Sequence, residues 1–339
     1  MSSVDIGIDL GTANTIITVG GKGIVVNEPS IVAYDKKKKQ VLAVGSEAYR
    51  MLGRTPEYII AVKPLRDGVI SDNEMAEEMI IEFIHKVSGT MLLKPRVLIC
   101  VPSSVTDVER RAVVEAALTA GARKVYIIEE PIAALLGAGY DISKPNGMMV
   151  VDIGGGTADV AVVSFNGIVV SESVKVAGNK FDAAISRYIS QKYKVLIGEK
   201  SAEQAKIRLA NVFDPSPERK MTVKGRHLLR GLPASIEISE VDVEEAIRDL
   251  TVDIIDSIKK VFEKTPPELV GDIHENGITL TGGGALLGGL APLVSKELGV
   301  PCHVADHALE CVARGISEAF HLSDELLDGF EQISLYRYK

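Results

Sequence analysis

Apolar residues come in short runs through the first seventy positions of the chain. Val4–Leu10, Thr15–Val19, Gly23–Val26, Ser30–Tyr34 and Val41–Val44 are unbroken or alternating apolar runs, which predicts strands. "DKKKKQ", 35–40, separates two of them and predicts a solvated hairpin turn. The period then changes. Met75, Met79, Ile80, Phe83, Ile84 and Val87 define one helical face behind a Ser71/Glu74 capping pattern. Val108, Ala112 and Ala116 follow a second such pattern, Thr106/Glu109, and Gly121 closes that helix. "RVLICV" (96–101) and "VYIIE" (125–129) read as buried strands between and after these helices. Strand, helix, strand, helix predicts an α/β layer with a mixed sheet.

A second β start opens near residue 149. "IGIDLGTANTIITV" (6–19) and "MVVDIGGGTADVAVV" (149–163) share one grammar: strand, aspartate, aliphatic residue, glycine, small residues, strand. Asp9 and Asp152 lie 143 residues apart, which makes an internal duplication the simplest explanation. Two similar lobes would each offer a glycine-rich hairpin and an aspartate to a shared cleft. Further helix starts are predicted at Ser201/Gln204 and Ser239/Asp242, with "DPSPE" (214–218) as a loop and strands around 221–223 and 235–238. "KTPPELV" (264–270) ends one long helix and begins a shorter one. No low-complexity linker divides the chain.

Composition narrows the class. With 46% hydrophobic and 25% charged residues over 339 positions, the chain is long enough for about two domains of an ordinary globular protein. A net charge of −8 argues against a general nucleic-acid binder. Three cysteines, Cys100, Cys302 and Cys311, suit a reducing environment better than a disulfide framework. The start of the chain is polar and acidic, unlike a signal peptide. Residues 276–295 carry no charge and are long enough to span a bilayer, but their glycines, threonines and proline predict strand, loop and helix, and a soluble protein.

The glycine turns carry the chemistry. Phosphate is bound by backbone N–H groups that can be approached without Cβ interference. Gly11-Thr12-Ala13-Asn14 and Gly154-Gly155-Gly156-Thr157 both fit. Asp9 and Asp152 would repel bare phosphate, and they make sense on a hydrated Mg²⁺. "TGGG", 281–284, is a third glycine turn, suited to a flat purine or its ribose. Any one of these alone is more simply a tight turn. Three together, two of them duplicated around carboxylates, favour a nucleotide. Neither a Rossmann fingerprint nor a Walker A loop is present.

The order D-x-G-T-x-N-T, E-E-P-x-A-A, D-x-G-G-G-T, T-G-G-G resembles the actin, Hsp70 and sugar-kinase ATPase superfamily. Within it, "DIGIDLGTANT", "IEEPIAALLGAG", "VVDIGGGTADVAVVS" and "TLTGGGALLGGL" are similar to the MreB/Mbl family of bacterial actin homologues, and the resemblance covers nearly the whole chain. It implies an actin-like α/β fold of two duplicated lobes, each a mixed sheet flanked by helices, with four subdomains around an ATP cleft. Lobe I would span about 1–145 with an insertion at about 33–73, and lobe II about 146–320 with an insertion at about 183–249. A C-terminal helix and tail, 321–339, would return to lobe I. It also implies weak ATP hydrolysis and homopolymers, commonly paired, on the inner face of the cytoplasmic membrane, working with cell-shape or wall-synthesis proteins.

Carried over by position, Gly11, Thr12, Ala13 and Asn14 would hold phosphate from one side, and Gly154, Gly155, Gly156 and Thr157 from the other. Asp9 and Asp152 would face the metal, through water. Glu203 and Lys206 match the helix beside ribose and adenine, and Gly282, Gly283, Gly284, Ala285 and Leu286 the adenine-side loop. Glu130 matches the water-positioning carboxylate, with Thr157 supplying a partner hydroxyl, while Glu129 reads as structural. Two departures bear on the hydrolysis rate: Ala158-Asp159 where the family commonly has threonine and glutamate, and Asn179 where it has an acid.

Met91, Leu92 and Leu93 are apolar residues in an expected loop, flanked by Lys86, Lys94 and Arg96. They predict membrane insertion, the role of a loop at this place in the family, over simple cover for the sheet end. Three apolar side chains contribute only a few kcal/mol, so attachment would depend on many copies. A small-molecule kinase of the same superfamily is the alternative, but no substrate pocket or catalytic base stands out between the phosphate loops. A chaperone ATPase would need a peptide-binding domain beyond them.

Overall fold

The structure, a computed structural model, describes residues 5–88, 94–326 and 336–338. They form two compact units. Of the described residues, the first comprises 5–88, 94–146, 163–169, 309–326 and 336–338, and the second 147–162 and 170–308.

The first unit is built on a six-stranded sheet. In spatial order its strands are Tyr336–Tyr338, Lys124–Glu129, Arg96–Val101, Asp5–Leu10, Asn14–Val19 and Gly23–Pro29. Asp5–Leu10 pairs antiparallel with Asn14–Val19 and parallel with Arg96–Val101, so it lies at the sheet centre. Its buried residues Ile6, Ile8 and Leu10 share a core with Phe83, Met79 and Ile84 of helix Asn73–Ser88. A three-stranded sheet of Gln40–Val44, Val32–Asp35 and Ile59–Val62 stands beside it in sequence. The lysine turn is confirmed there: the buried Asp35 carboxylate accepts the Lys37 and Lys38 amides, at 2.8 and 3.0 Å.

The second unit repeats the plan with a five-stranded sheet ordered Gly167–Val174, Ala158–Ser164, Met148–Ile153, Ile278–Thr281 and Cys302–Val304, all but residues 163–169 of it within that unit. Met148–Ile153 pairs parallel with Ile278–Thr281, as Asp5–Leu10 does with Arg96–Val101. The internal duplication is therefore visible in the strand order: each aspartate-bearing strand has a tight-turn neighbour on one side and a parallel partner on the other. The uncharged stretch 276–295 resolves into strand Ile278–Thr281, a 3₁₀ turn Gly283–Leu286 and helix Leu290–Leu298. No described helix is long and apolar enough to cross a membrane.

Capping chemistry held where the cap side chain is free. Thr106/Glu109 and Ser239/Asp242 both form reciprocal boxes, starting helices Asp107–Thr119 and Glu240–Lys264. The other two expected starts do not form. Ser71 donates its hydroxyl to the Pro64 carbonyl at 3.0 Å, and Asp72 caps helix Asn73–Ser88 instead, accepting the Met75 amide at 3.1 Å. Helix Glu199–Leu209 begins two residues before Ser201, behind Gly198 and without a side-chain cap.

Helix Glu130–Gly137 packs on helix Cys311–Leu326 with backbones almost touching. A Cβ on Gly315 would lie 1.7 Å from the Ala133 carbonyl oxygen, and one on Gly137 1.7 Å from that of Cys311. Glycine costs about 1 kcal/mol in a helix interior relative to alanine. Here that cost secures a crossing that no side chain would permit.

Candidate functional site

Each unit carries its own half of the expected site. In the first, the turn 11–13 joins two central strands whose register sets Asp9 opposite Ile16 and beside Cys100. The Gly11 carbonyl accepts the Ser30 hydroxyl at 2.6 Å, and that hydroxyl also meets Thr15 Oγ1 at 2.9 Å. The Ser30 amide donates to the Ala13 carbonyl at 2.9 Å. Gly11 has no room for a side chain, since a Cβ would lie 2.6 Å from the Asn14 carbonyl oxygen. The Gly68 amide donates to Thr12 Oγ1 at 3.2 Å, and Asn14 is exposed beside them. The turn is thus held by its carbonyls and by buried hydroxyls. Ser30 was not among the candidates, because a single serine after a strand has no periodic or spacing signal.

Glu130 is the first residue of helix Glu130–Gly137 and is buried. Glu129 is the N-cap, and its side chain makes no capping hydrogen bond. Burial pushes the Glu129 carboxyl up, with Arg110 acting against it.

In the second unit the turn 154–157 is tighter. The Gly154 amide donates to the Thr157 carbonyl at 2.9 Å, while the Gly154 and Gly155 carbonyls accept the amides of Gly178 and Asn179, at 3.1 and 2.8 Å. Gly178 and Asn179 begin helix Gly178–Tyr193. The turn's carbonyls and the first amides of the helix are therefore spent on one another, an arrangement that fixes the glycine turn against the helix start. Asn179, where the family has an acid, takes part through its backbone.

Asp152 is 6% exposed. The parallel register sets it beside Thr281, whose hydroxyl donates to Asp152 Oδ1 at 2.7 Å. Burial pushes its carboxyl up to about 6, the Thr281 hydroxyl pulls it down, and Asp159 adds to the rise. Asp159 is 1% exposed and is also pushed up by burial. Its oxygens lack full hydrogen-bond geometry, although the Thr157 and Ser173 hydroxyls favour its charged form. A buried carboxyl with so few donors and a second acid beside it suits a cation, so Asp152 fits the magnesium that a nucleoside triphosphate brings. The sign for the nucleotide-free protein follows. A raised acid costs stability above about pH 6 and ceases to do so below the unfolded value near 3.8. Asp152→Asn is expected to stabilise the nucleotide-free protein at pH 8 by up to about 3 kcal/mol, read as a raised melting temperature, with little change at pH 4.

Lys206 and Glu203 share helix Glu199–Leu209. Lys206 Nζ lies 2.9 Å from Asp182 Oδ1 and donates to the Gly178 carbonyl at 3.1 Å. It ties this helix to the one that holds the glycine turn. Asp182 was not anticipated, since it pairs across two helices. Glu203 is exposed. Of the third loop, Gly283 and Leu286 are exposed, whereas Gly284 and Ala285 are buried. Gly282 takes φ +78°, and a Cβ there would meet the Ile153 carbonyl oxygen at 2.5 Å. Its glycine is required by the turn itself.

Met91, Leu92 and Leu93 lie outside the described residues. Of the basic residues around them, Lys86 is ion-paired with Glu28, and Arg96 is bidentate to Asp5 with both bonds at 2.7 Å.

Comparison with known proteins extends the picture to the whole chain. A family model described as MreB/Mbl protein matches residues 3–327. The cell shape-determining protein Mbl of Bacillus subtilis strain 168 is 51% identical over 327 residues, covering 96% of this chain and 98% of its own. The cell shape-determining protein MreB of Escherichia coli K12 is 47% identical over 330 residues, covering 96% and 95%. The structure of MreB5 of Spiroplasma citri bound to ADP matches with a TM-score of 0.92 at 39% identity, covering 97% of this chain and 99% of that one.

Proposed function

Because the chain belongs to the MreB/Mbl family, we propose that it binds ATP with Mg²⁺, hydrolyses it slowly and polymerises into filaments on the inner face of the cytoplasmic membrane. Its role is cytoskeletal, in cell shape, and it has an actin-like fold. A small-molecule kinase is not favoured. The observation that carries the nucleotide reading is the duplicated strand, aspartate and glycine turn, whose second copy is clamped to a helix start beside the buried Asp152. The relative MreB5 is a structure with ADP, which supports the same ligand class here.

In this reading Gly11, Thr12, Ala13 and Asn14 bind phosphate through the first turn, and Gly154, Gly155, Gly156 and Thr157 through the second. Asp9 and Asp152 take the hydrated magnesium, which when bound neutralises phosphate charge. Glu203, Lys206 and the exposed Gly283 and Leu286 of the 282–286 loop border the nucleoside. Glu130 orients the attacking water, with the Thr157 hydroxyl beside it. Met91, Leu92 and Leu93 supply the lipid contact, and wall-synthesis proteins are the further partners. Because Lys86 and Arg96 are already ion-paired, the contact rests on apolar insertion more than on charge.

Micromolar protein with ATP and Mg²⁺ is expected to pellet and to co-sediment with vesicles containing anionic lipid. Leu92→Ser with Leu93→Ser is expected to lose the vesicles and keep ATP binding. Failure of the unaltered protein to pellet would reject the filament reading, and unchanged vesicle binding of the double variant would reject the loop.

A further inference from the structure

Two surface features of the chain complement one another. The first is the tip of the hairpin formed by strands Lys220–His227 and Pro233–Ser239. Leu228, Leu229 and Leu232 are 45, 82 and 62% exposed there. A turn favours polar residues, so three bare leucines mark a contact surface. The tip has a fixed shape. The Leu228 amide donates to the Lys194 carbonyl at 2.8 Å, the His227 amide to Leu232 at 2.9 Å and the Gly231 amide to His227 at 2.8 Å. Arg226 and Arg230 flank the leucines, are exposed, and have no carboxylate partner among the described residues.

The second is a groove of about 1000 Å³ that lies wholly within the first unit. Ile24, Leu136, Tyr140 and Ile142 give it an apolar floor, and Asp141, Glu310 and Glu318 an acidic rim. Its one basic lining residue, Arg314, lies 3.4 Å from Glu310, so Glu318 is left as the exposed acid without a basic partner among the described residues.

We propose that the leucine tip of one copy of this chain docks in the groove of the next. The proposal rests on the polymerisation reading and adds the surfaces that make the contact. Apolar tip meets apolar floor, and arginines meet acids. In a chain of net charge −8, copies repel on average, so a basic tip facing an acidic rim also selects the orientation of encounter. The two surfaces are different patches of the same molecule. Such a heterologous contact leaves a free tip at one end of any complex and a free groove at the other, so it propagates instead of closing.

The test uses full-length protein with ATP and Mg²⁺, pelleting and analytical ultracentrifugation. Leu229→Glu is expected to raise the critical concentration at least ~10-fold with ATP affinity unchanged, and Glu318→Arg to do the same. An equimolar mixture of the two variants retains one intact tip and one intact groove per pair, so it is expected to give dimers that neither variant forms alone. If unaltered protein pellets and Leu229→Glu pellets at the same concentration, or if the mixture stays monomeric, the proposal is overturned. Normal pelleting of Leu229→Glu with lost vesicle binding would overturn it too and assign the tip to lipid. Failure of the unaltered protein to pellet instead overturns the filament reading beneath it.

Discussion

Glu130→Ala is expected to leave ATP bound while slowing its hydrolysis at least ~10²-fold, the usual range for losing a group that orients or accepts from the attacking water. The residue's placement argues for this. It opens helix Glu130–Gly137, followed at once by Pro131, whose fixed φ suits the first helical turn. Strand Lys124–Glu129 fixes it from the other side. At 8% exposure its side chain has little freedom. The competing role, closing the helix start, makes the opposite prediction: a lower melting temperature with hydrolysis intact. Single-turnover phosphate release, read beside ATP affinity and a thermal melt, separates the two. Glu130→Gln keeps the volume, and it should reproduce the hydrolytic loss without a stability change.

Gly315→Ala is expected to be among the most destabilising single changes in the chain. Alanine in place of glycine gains about 1 kcal/mol of helix propensity. The new methyl, however, would fall 1.7 Å from the Ala133 carbonyl oxygen and 2.9 Å from the Gly137 amide nitrogen. These are backbone atoms, so relief requires moving a whole helix, and overpacking of this kind costs about 1–3 kcal/mol or more. The clash wins. Because the displaced helix begins at Glu130, soluble Gly315→Ala protein should also show impaired hydrolysis. A melt indistinguishable from the unaltered protein would show that the two helices are not in contact.

Much of this architecture is written in the chain, but unevenly. Arg96–Val101 is an unbroken apolar run after its arginine and the long helix Glu240–Lys264 opens on the Ser239/Asp242 capping pair, and the structure contains both. The pairs Leu65–Arg66 with Val69–Ile70 and the strand Val195–Leu196 carry no such mark, because two residues cannot show a period of two. Tyr336–Tyr338, which pairs antiparallel with Val125–Ile127, is only three residues long, too short for alternation to mark it as a strand. Ser71 failed as a cap because its hydroxyl had a tertiary partner, which spacing alone cannot reveal. The candidate site divides in the same way. Glycine turns and their aspartates form local motifs and are legible. The supports, Ser30 under Gly11 and Asp182 on Lys206, come from separate elements and needed the fold.

The two large hydrophobic clusters have no residue in common: one runs from Ile6 to Ile127, the other from Met149 to Ala308. Each lobe thus has its own reservoir of buried apolar surface, and heat or denaturant can exhaust one before the other. Unfolding of this chain is then properly a pair of free energies, one for each lobe.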